Sequence, residues 1–290
     1  MNITKFISQH TWTVGFSFDG VGALLDNKKL NIVWLKNPYR DRWFADPFIL
    51  NVTDITIELL VEEYYDPISR GRISRLFIDR RRMSIIKSVP ILELDTHLSF
   101  PFICRRDDGV YIIPENYESG ECKEYKYDVD KNTCIYNRTL VKKPLMDAVL
   151  TNLLGISYLV STCYPSHETL HFFKEDSDQS DYLFFRNIKF SSNIARNAGS
   201  WFKYKGKYYR PAQDCEESYG KAVILQEVVL DEEGNIQMKG IRRIESTNPS
   251  YQLGCHTLNI CDDIMVFDAK AYRFPRLRAI YQLLRKMLNR

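Results

Sequence analysis

Between residues 11 and 267 the chain sets short runs of Ile, Val, Tyr, Phe and Trp between turn residues about every ten positions, the pattern of an all-β protein. Pro47–Val52, Ile55–Val61, Ile73–Ile78, Gly109–Ile113, Ser157–Thr162, Lys207–Arg210 and Ala222–Val229 read as strands, divided by turn signals such as Asp107-Asp108-Gly109 and Lys205-Gly206. A longer period runs through them. A polar residue followed by an apolar strand recurs at Asp46, His97, Asp147, Arg196 and His256, with successive separations of 51, 50, 49 and 60 residues. A second series keeps step one hairpin later, at Glu62-Glu63, Glu115, Cys163-Tyr164, Asp214 and Asp268. A unit of about 50 residues holding four strands is the repeat of a β-propeller blade, and five such units account for the chain. The fifth, from Leu253, has room for only two strands. Thr11–Phe18 and Leu30–Leu35 supply the other two, so the ring is expected to close by joining both ends of the chain.

From Pro275 the period becomes helical: Phe274, Leu277, Tyr281, Leu284 and Leu288 form a stripe, with Arg278, Arg285, Lys286 and Arg290 off it. The expected organisation is a propeller over residues 1–269 and a basic amphipathic helix over 270–290. Composition agrees. Of 290 residues, 44% are hydrophobic and 13% aromatic, enough for a large core and incompatible with disorder. The formal charge of +3 conceals a division, because seven Lys and Arg follow Asp268 with no acid among them. The body is therefore mildly acidic and the tail strongly basic. Such a helix suits an anionic membrane surface, whereas an acidic body opposes nucleic acid.

The sequence contains no run of about 18 apolar residues that would span a membrane, and residues 1–19 lack the basic and apolar stretches of a secretory leader. The seven cysteines are odd in number and form no Cys-x-x-Cys pair, which reads as reduced thiols. The expected location is cytoplasmic, peripheral on the inner membrane face, so the Asn-x-Ser/Thr matches at Asn2, Asn51 and Asn137 carry no meaning.

Propeller blades bring their innermost strands to one channel, so the repeated polar residues should meet there. Carboxylates accept hydrogen bonds from sugar hydroxyls, aromatics such as Trp43, Trp201, Tyr164 and Tyr219 stack on sugar faces, and Arg196 or Arg210 can fork onto phosphate. Paired acids then serve glycosidic chemistry, in hydrolysis or in transfer to an acceptor hydroxyl. Three other motifs are weak. His167-Glu168-Thr169-Leu170-His171 fits a zinc pattern that requires a helix but lies in strand-like sequence. Asp128-Val129-Asp130 reads as a turn, and Gly20-Val21-Gly22 lacks the third glycine of a dinucleotide loop.

The segments Trp43-Phe44-Ala45-Asp46-Pro47-Phe48, His97-Leu98-Ser99-Phe100-Pro101-Phe102, Pro114-Glu115, Arg196-Asn197-Ala198-Gly199, Arg210-Pro211-Ala212-Gln213-Asp214, Tyr219-Gly220 and His256-Thr257 resemble the N-terminal domain of plant glucosamine inositolphosphorylceramide transferases and its bacterial relatives. More remotely they are similar to the five-bladed clan of arabinanase- and fructosidase-like hydrolases. The resemblance implies the same five-bladed fold, with Asp46 as the blade-one base or nucleophile and Glu115 and Asp147 as its companion carboxylates.

The resulting expectation is a glycosyltransferase that moves a sugar from a nucleotide-activated donor to a surface-polysaccharide or glycolipid acceptor. Its catalytic acids are Asp46, Glu115, Asp147 and Asp214. Its substrate-binding residues are His97, Arg196, Arg210, Gln213, Tyr219, His256, Asp268 and Trp43, with Arg196, Arg210, His97 and His256 on phosphate. No metal motif is present, and a divalent cation in the channel stays open. A glycoside hydrolase or phosphorylase using the same acids, and a non-catalytic glycan-binding propeller, are the alternatives.

Overall fold

The computed structural model describes residues 8–165, 167–176, 181–231 and 235–288. The chain begins with strand β1 (His10–Ser17), a short helix α1 (Gly20–Leu25) and β2 (Val33–Trp34). Four antiparallel sheets follow in chain order. The first comprises β3 (Arg42–Val52), β4 (Thr56–Tyr65), β5 (Arg70–Asp79) and β6 (Ser84–Leu92); the second β7 (Ser99–Arg106), β8 (Gly109–Glu115), β9 (Cys122–Asp128) and β10 (Thr133–Val141). The third comprises β11 (Leu145–Leu153), β12 (Ile156–Cys163), β13 (Thr169–Glu175) and β14 (Tyr182–Lys189); the fourth β15 (Phe202–Tyr204), β16 (Lys207–Asp214), β17 (Ala222–Leu230) and β18 (Ile236–Ile244). β19 (Leu258–Cys261) and β20 (Ile264–Tyr272) then complete a fifth sheet of order β19-β20-β1-β2, and α2 (Pro275–Leu288) ends the chain.

This is the five-bladed β-propeller expected from the period, closed by the N-terminal strands. β1 pairs antiparallel with β20 from His10↔Tyr272 to Ser17↔Met265. Each blade buries both faces, which is why strands such as β4 are almost continuously apolar and buried from Ile57 to Val61 instead of alternating. Phe48, Phe100, Phe102, Val149 and Phe172 join blades one to three, and Val14, Phe16, Leu59 and Val266 join blade five to blade one. Leu225, Leu258 and Phe267 do the same between blades four and five. Each such side chain contributes about 1.5–3 kcal/mol on burial.

Three inner strands share an irregularity. The pairing register slips between Ala45 and Phe48, between Ser99 and Phe102, and between Met146 and Val149. Within each slip one residue has positive φ: Asp46 at 49°, Phe100 at 43° and Asp147 at 50°. A non-glycine residue held there stores roughly 1–3 kcal/mol of strain. In two blades the bulge turns the residue's own N–H towards an acid of the blade before it. Asp46 donates to Asp268 at 3.2 Å, and Phe100 donates to Asp46 at 3.1 Å.

The structural repeat is thus Asp46, Phe100, Asp147, which corrects the register read from polar residues. His97, Arg196 and His256 are not equivalents of Asp46; they lie in the connections 93–98, 190–201 and 245–257 that lead into β7, β15 and β19. The long last connection accounts for the 60-residue step. His171 lies within β13 and His167 in the bend before it, so the two histidines of the zinc pattern share no helix. In α2, Leu277, Ile280 and Leu283 are exposed. Arg278 lies over the Tyr272 ring at 3.8 Å and donates to the Ser8 hydroxyl at 3.3 Å. The expected helix positions Leu284, Arg285, Lys286, Leu288 and Arg290 lie outside the described side chains.

Candidate functional site

A cavity of about 710 Å³ opens where the blades converge, with Glu62, His97, Glu115, Arg196, Tyr219 and His256 in its wall. Three charge clusters, two buried and one half-buried, form its base. In the first, Arg196 bridges two acids: Nη2 donates to Glu115 at 2.6 Å and to Asp147 at 3.2 Å, and Nε bonds Asp147 as well. Gln213 reaches the same carboxylate from β16, its Nε2 donating to Asp147 Oδ2 at 2.7 Å. Two carboxylates sharing one guanidinium leave one negative charge uncompensated in a buried place. Burial, with Asp147 adding repulsion, therefore pushes Glu115 well above the ordinary carboxylate range despite Arg196.

The second cluster is Asp46, His256 and Asp268. His256 Nδ1 bonds Asp268 at 2.6 Å, and Asp268 Oδ1 accepts the N–H groups of His256 and Thr257 at 2.8 and 3.0 Å. Against the penalty of burial, His256 and these N–H groups hold Asp268 below the usual range. Asp268 and Asp46 in turn raise His256 to about 8 against its own burial. Asp46 accepts from Thr257 Oγ1 at 2.8 Å and from Phe100 N. Burial pushes it up to about 7, with Glu62, Asp268 and Asp147 adding to the effect and His256 opposing it.

In the third cluster Gly71 N–H donates to His97 Nδ1 at 3.0 Å, while His97 Nε2 meets Glu62 Oε1 at 3.1 Å. A glycine is required at 71, since a Cβ there would stand 2.5 Å from Leu98 O and 2.9 Å from Glu62 Oε1.

The expected residues separate on this geometry. Glu115, Arg196, His97, His256, Tyr219 and Trp43 line the cavity. Asp46, Asp147 and Asp268 lie beneath it, buried and bonded to those that line it, and Gln213 is buried behind Asp147. Asp214 and Arg210 are not part of it, which corrects their expected roles. Asp214 binds Arg243 Nε at 3.0 Å and the Glu216 N–H at 3.1 Å. Arg210, fully buried, donates to Asn197 Oδ1 and Gln226 Oε1 at 3.0 and 2.7 Å and to the Ala195 carbonyl. Burial without a neighbouring carboxylate lowers it to about 9. Trp201 packs edge-on against Phe172 instead of facing a ligand. Of the four residues expected on phosphate, Arg196, His97 and His256 line the cavity with an acid already beside each, and Arg210 lies away from it among neutral protein oxygens.

Aromatic rings form the upper wall. Trp43 stacks on Tyr64 at 4.9 Å, Tyr117 on Tyr164 at 4.9 Å, and Trp12 on His256 at 4.0 Å. Trp12, Tyr64 and Tyr117 carry no mark of the site in the sequence, and His167 stands out there only through the zinc pattern. Trp12 sits in a run that reads as strand, Tyr64 lies just past one, and a search for polar repeats passes over rings. Glu62, from the second polar series, is buried against His97.

Asp46, His256 and Asp268 each offer a ligand atom, all within 4.8 Å of one another. Asp268 accepts from His256 and from three backbone N–H groups, and Asp46 from Thr257 and Phe100 N. That arrangement suits a proton-holding network better than a cation.

Residues 36–242 match the family model described as "Glucosamine inositolphosphorylceramide transferase 1, N-terminal". The chain is 30% identical over 152 residues to glucosamine inositolphosphorylceramide transferase 1 of Arabidopsis thaliana, and 28% over 143 residues to that of Oryza sativa subsp. japonica. These matches cover 47% and 46% of this chain but only 19% of either relative. Among solved structures, a thermostable family-43 glycoside hydrolase is similar with a TM-score of 0.56 at 12% identity, covering 84% of this chain and 89% of that one. RS223 β-xylosidase gives 0.52 at 15%, over 72% and 80%. At such identities the likeness is one of fold. The matched span, with the blade repeat and the Asp46, Glu115 and Arg196 segments inside it, places the chain in the family of glucosamine inositolphosphorylceramide transferase 1 N-terminal domains.

Proposed function

We propose that this chain is a carbohydrate-active enzyme of the transferase kind, moving a sugar from a nucleotide-activated donor to a glycan or lipid-linked acceptor. The observation that carries this reading is Glu115: a buried carboxyl with a raised proton affinity, facing a ring-walled cavity and held in place by Arg196. A carboxylate with a raised proton affinity is, once ionised, a stronger base than an ordinary one. In the transfer step the acceptor hydroxyl gives its proton to Glu115 and its oxygen bonds the anomeric carbon. The bond from that carbon to the donor phosphate breaks, and the diphosphate leaves with the electron pair. The rings of Trp43 and Tyr64 provide faces for the sugar, and the Asp46–His256–Asp268 network fixes the cavity base. The transferase names of the relatives support transfer over hydrolysis.

The test is incubation with a panel of nucleotide sugars and lipid-linked acceptors, read by product mass. Failure to bind any nucleotide sugar refutes the reading. Turnover of aryl glycosides without nucleotide would replace it with a hydrolase, and glycan binding that survives Glu115→Gln with no turnover would replace it with a binding module.

We further propose that α2 lies on an anionic membrane surface at its cytoplasmic side. Its exposed Leu277, Ile280 and Leu283 and the acid-free basic tail support this. No helix among the described residues is long and apolar enough to cross a membrane.

A further inference from the structure

A second cavity, of about 580 Å³, adjoins the first and shares Trp12, Trp43, Tyr64 and Tyr219 with it. Its remaining wall holds His10, Lys270, Arg273 and Asp66. The two spaces differ in charge. In the first, every cation buried in the base has an acid: Arg196 has Glu115 and Asp147, His97 has Glu62, and His256 has Asp268. In the second, Arg273 is satisfied by Asp66 and by the Arg40 carbonyl. Lys270 stands apart. Among the described residues no carboxylate lies within ion-pair distance of it, and its Nζ sits 5.5 Å from the Trp12 ring and 5.6 Å from the Tyr219 ring.

Strand register explains the placement. Trp12 pairs with Lys270 and His10 with Tyr272, while Asp268, bonded to His256 at the base of the first cavity, lies two residues earlier on the same strand. Side chains two apart on a strand share a face and stand about 7 Å apart. One face of β20 therefore carries in sequence Asp268 at the cavity base, Lys270 beside the shared aromatic wall and Tyr272 near α2. An exposed lysine would be unremarkable; this one is partly enclosed, and burial lowers its proton affinity. His10 reports the same shortage of negative charge. Burial, Lys270 and Arg278 together pull it down to about 4, so it is neutral at physiological pH.

We infer that the second cavity is the phosphate subsite of the enzyme: Lys270 binds a phosphoryl group whose attached sugar extends past Trp12 and Tyr219 into the first cavity. This rests on the sugar-transfer reading and supplies a cation without an acid partner, whereas those in the base of the first cavity are each paired. The chemistry is that of a sugar-linked phosphate or diphosphate, from a nucleotide or from a lipid headgroup. Lysine binds such groups as a point charge and the flanking rings exclude water, which strengthens the pairing.

The test uses the full chain with inorganic pyrophosphate as probe, read by tryptophan fluorescence, because Trp12 and Trp43 line both cavities, and checked by calorimetry. Pyrophosphate binding should weaken tenfold or more in Lys270→Gln and be retained in Lys270→Arg, while binding of neutral monosaccharides is unchanged in both. Circular dichroism melting of each variant establishes that it is folded. Equal pyrophosphate affinity in wild type and Lys270→Gln, or no pyrophosphate binding to wild type, overturns the inference even if nucleotide sugars are turned over. Competition then identifies the source. Displacement of pyrophosphate by uridine diphosphate marks a donor subsite, displacement by dioctanoyl phosphatidate marks an acceptor subsite, and displacement by neither overturns it.

Discussion

Replacing Arg196 by methionine tests the electrostatic core of the site most severely. The guanidinium is buried and touches Asp147 through two nitrogens and Glu115 through one, and its Cζ lies 5.0 Å from the Tyr219 ring. Methionine fills much of the volume but leaves two carboxyls facing each other without a cation. Breaking a buried ion pair by removing one partner costs about 3–5 kcal/mol. With an unfolding entropy of about 2.1 cal/mol/K per residue over 290 residues, this corresponds to a fall in Tm of roughly 5–8 °C at pH 8. The variant's pH dependence has a defined sign. Burial and the neighbouring carboxylate already raise Glu115; without Arg196 its folded-state pKa lies still further above that of the unfolded chain, so the folded protein binds more protons and the penalty grows as pH rises between the two values. Thermal melts should therefore show the gap from wild type shrinking as pH falls from 8 towards 5. Adding Glu115→Gln to Arg196→Met should recover part of the loss. A Tm within about 1 °C of wild type at pH 8, or a gap that does not change with pH, would refute the picture of two acids depending on one guanidinium.

Three further outcomes are expected. Glu115→Gln keeps a partner for Arg196 and should remain folded while lowering turnover by about 10²-fold or more in the product-mass assay. Asp46→Asn removes a group whose folded pKa, about 7, lies above its ordinary 3.8. Its charge destabilises the fold above pH 7 and that penalty fades as pH falls towards 4, so the variant should gain on wild type in melts at pH 8 and lose the advantage near pH 4. For the tail, liposome flotation with anionic vesicles should carry the full chain and not a chain ending at residue 272; equal flotation of both would remove the membrane proposal.

The fold was legible because a blade must repeat its strand spacing to pack, and the spacing survives in turn residues and apolar runs. The site was legible less evenly. Asp46 and Asp147 mark bulged positions, but the blade-two counterpart, Phe100, is apolar, so counting polar residues chose His97 three positions earlier. Along β16 every residue from Tyr209 to Asp214 is buried, and no alternation reveals which side chains share a face. In the structure Arg210 and Asp214 lie on one face and Gln213 on the other, and only Gln213 reaches Asp147. Lys270 was counted in the sequence as one of seven tail cations. Its separate position depends on pairing with Trp12, a contact between residues at opposite ends of the chain.

Closure of the ring by β1 and β20 also sets the order of events during synthesis. Val14 and Asp268 are paired yet stand 254 residues apart. At about 5–20 residues per second a ribosome needs roughly 10–50 s to make the second after the first. Throughout that interval Trp12, Val14 and Phe16 lack the strand that covers them, so the nascent N-terminus has an exposed sticky edge to protect. The last strand to emerge also brings Asp268, and with it the anchor of His256. The protein therefore acquires its competent cavity at the moment its final blade zips shut, and a ribosome stalled before residue 268 leaves a nearly whole propeller with an unfinished cavity.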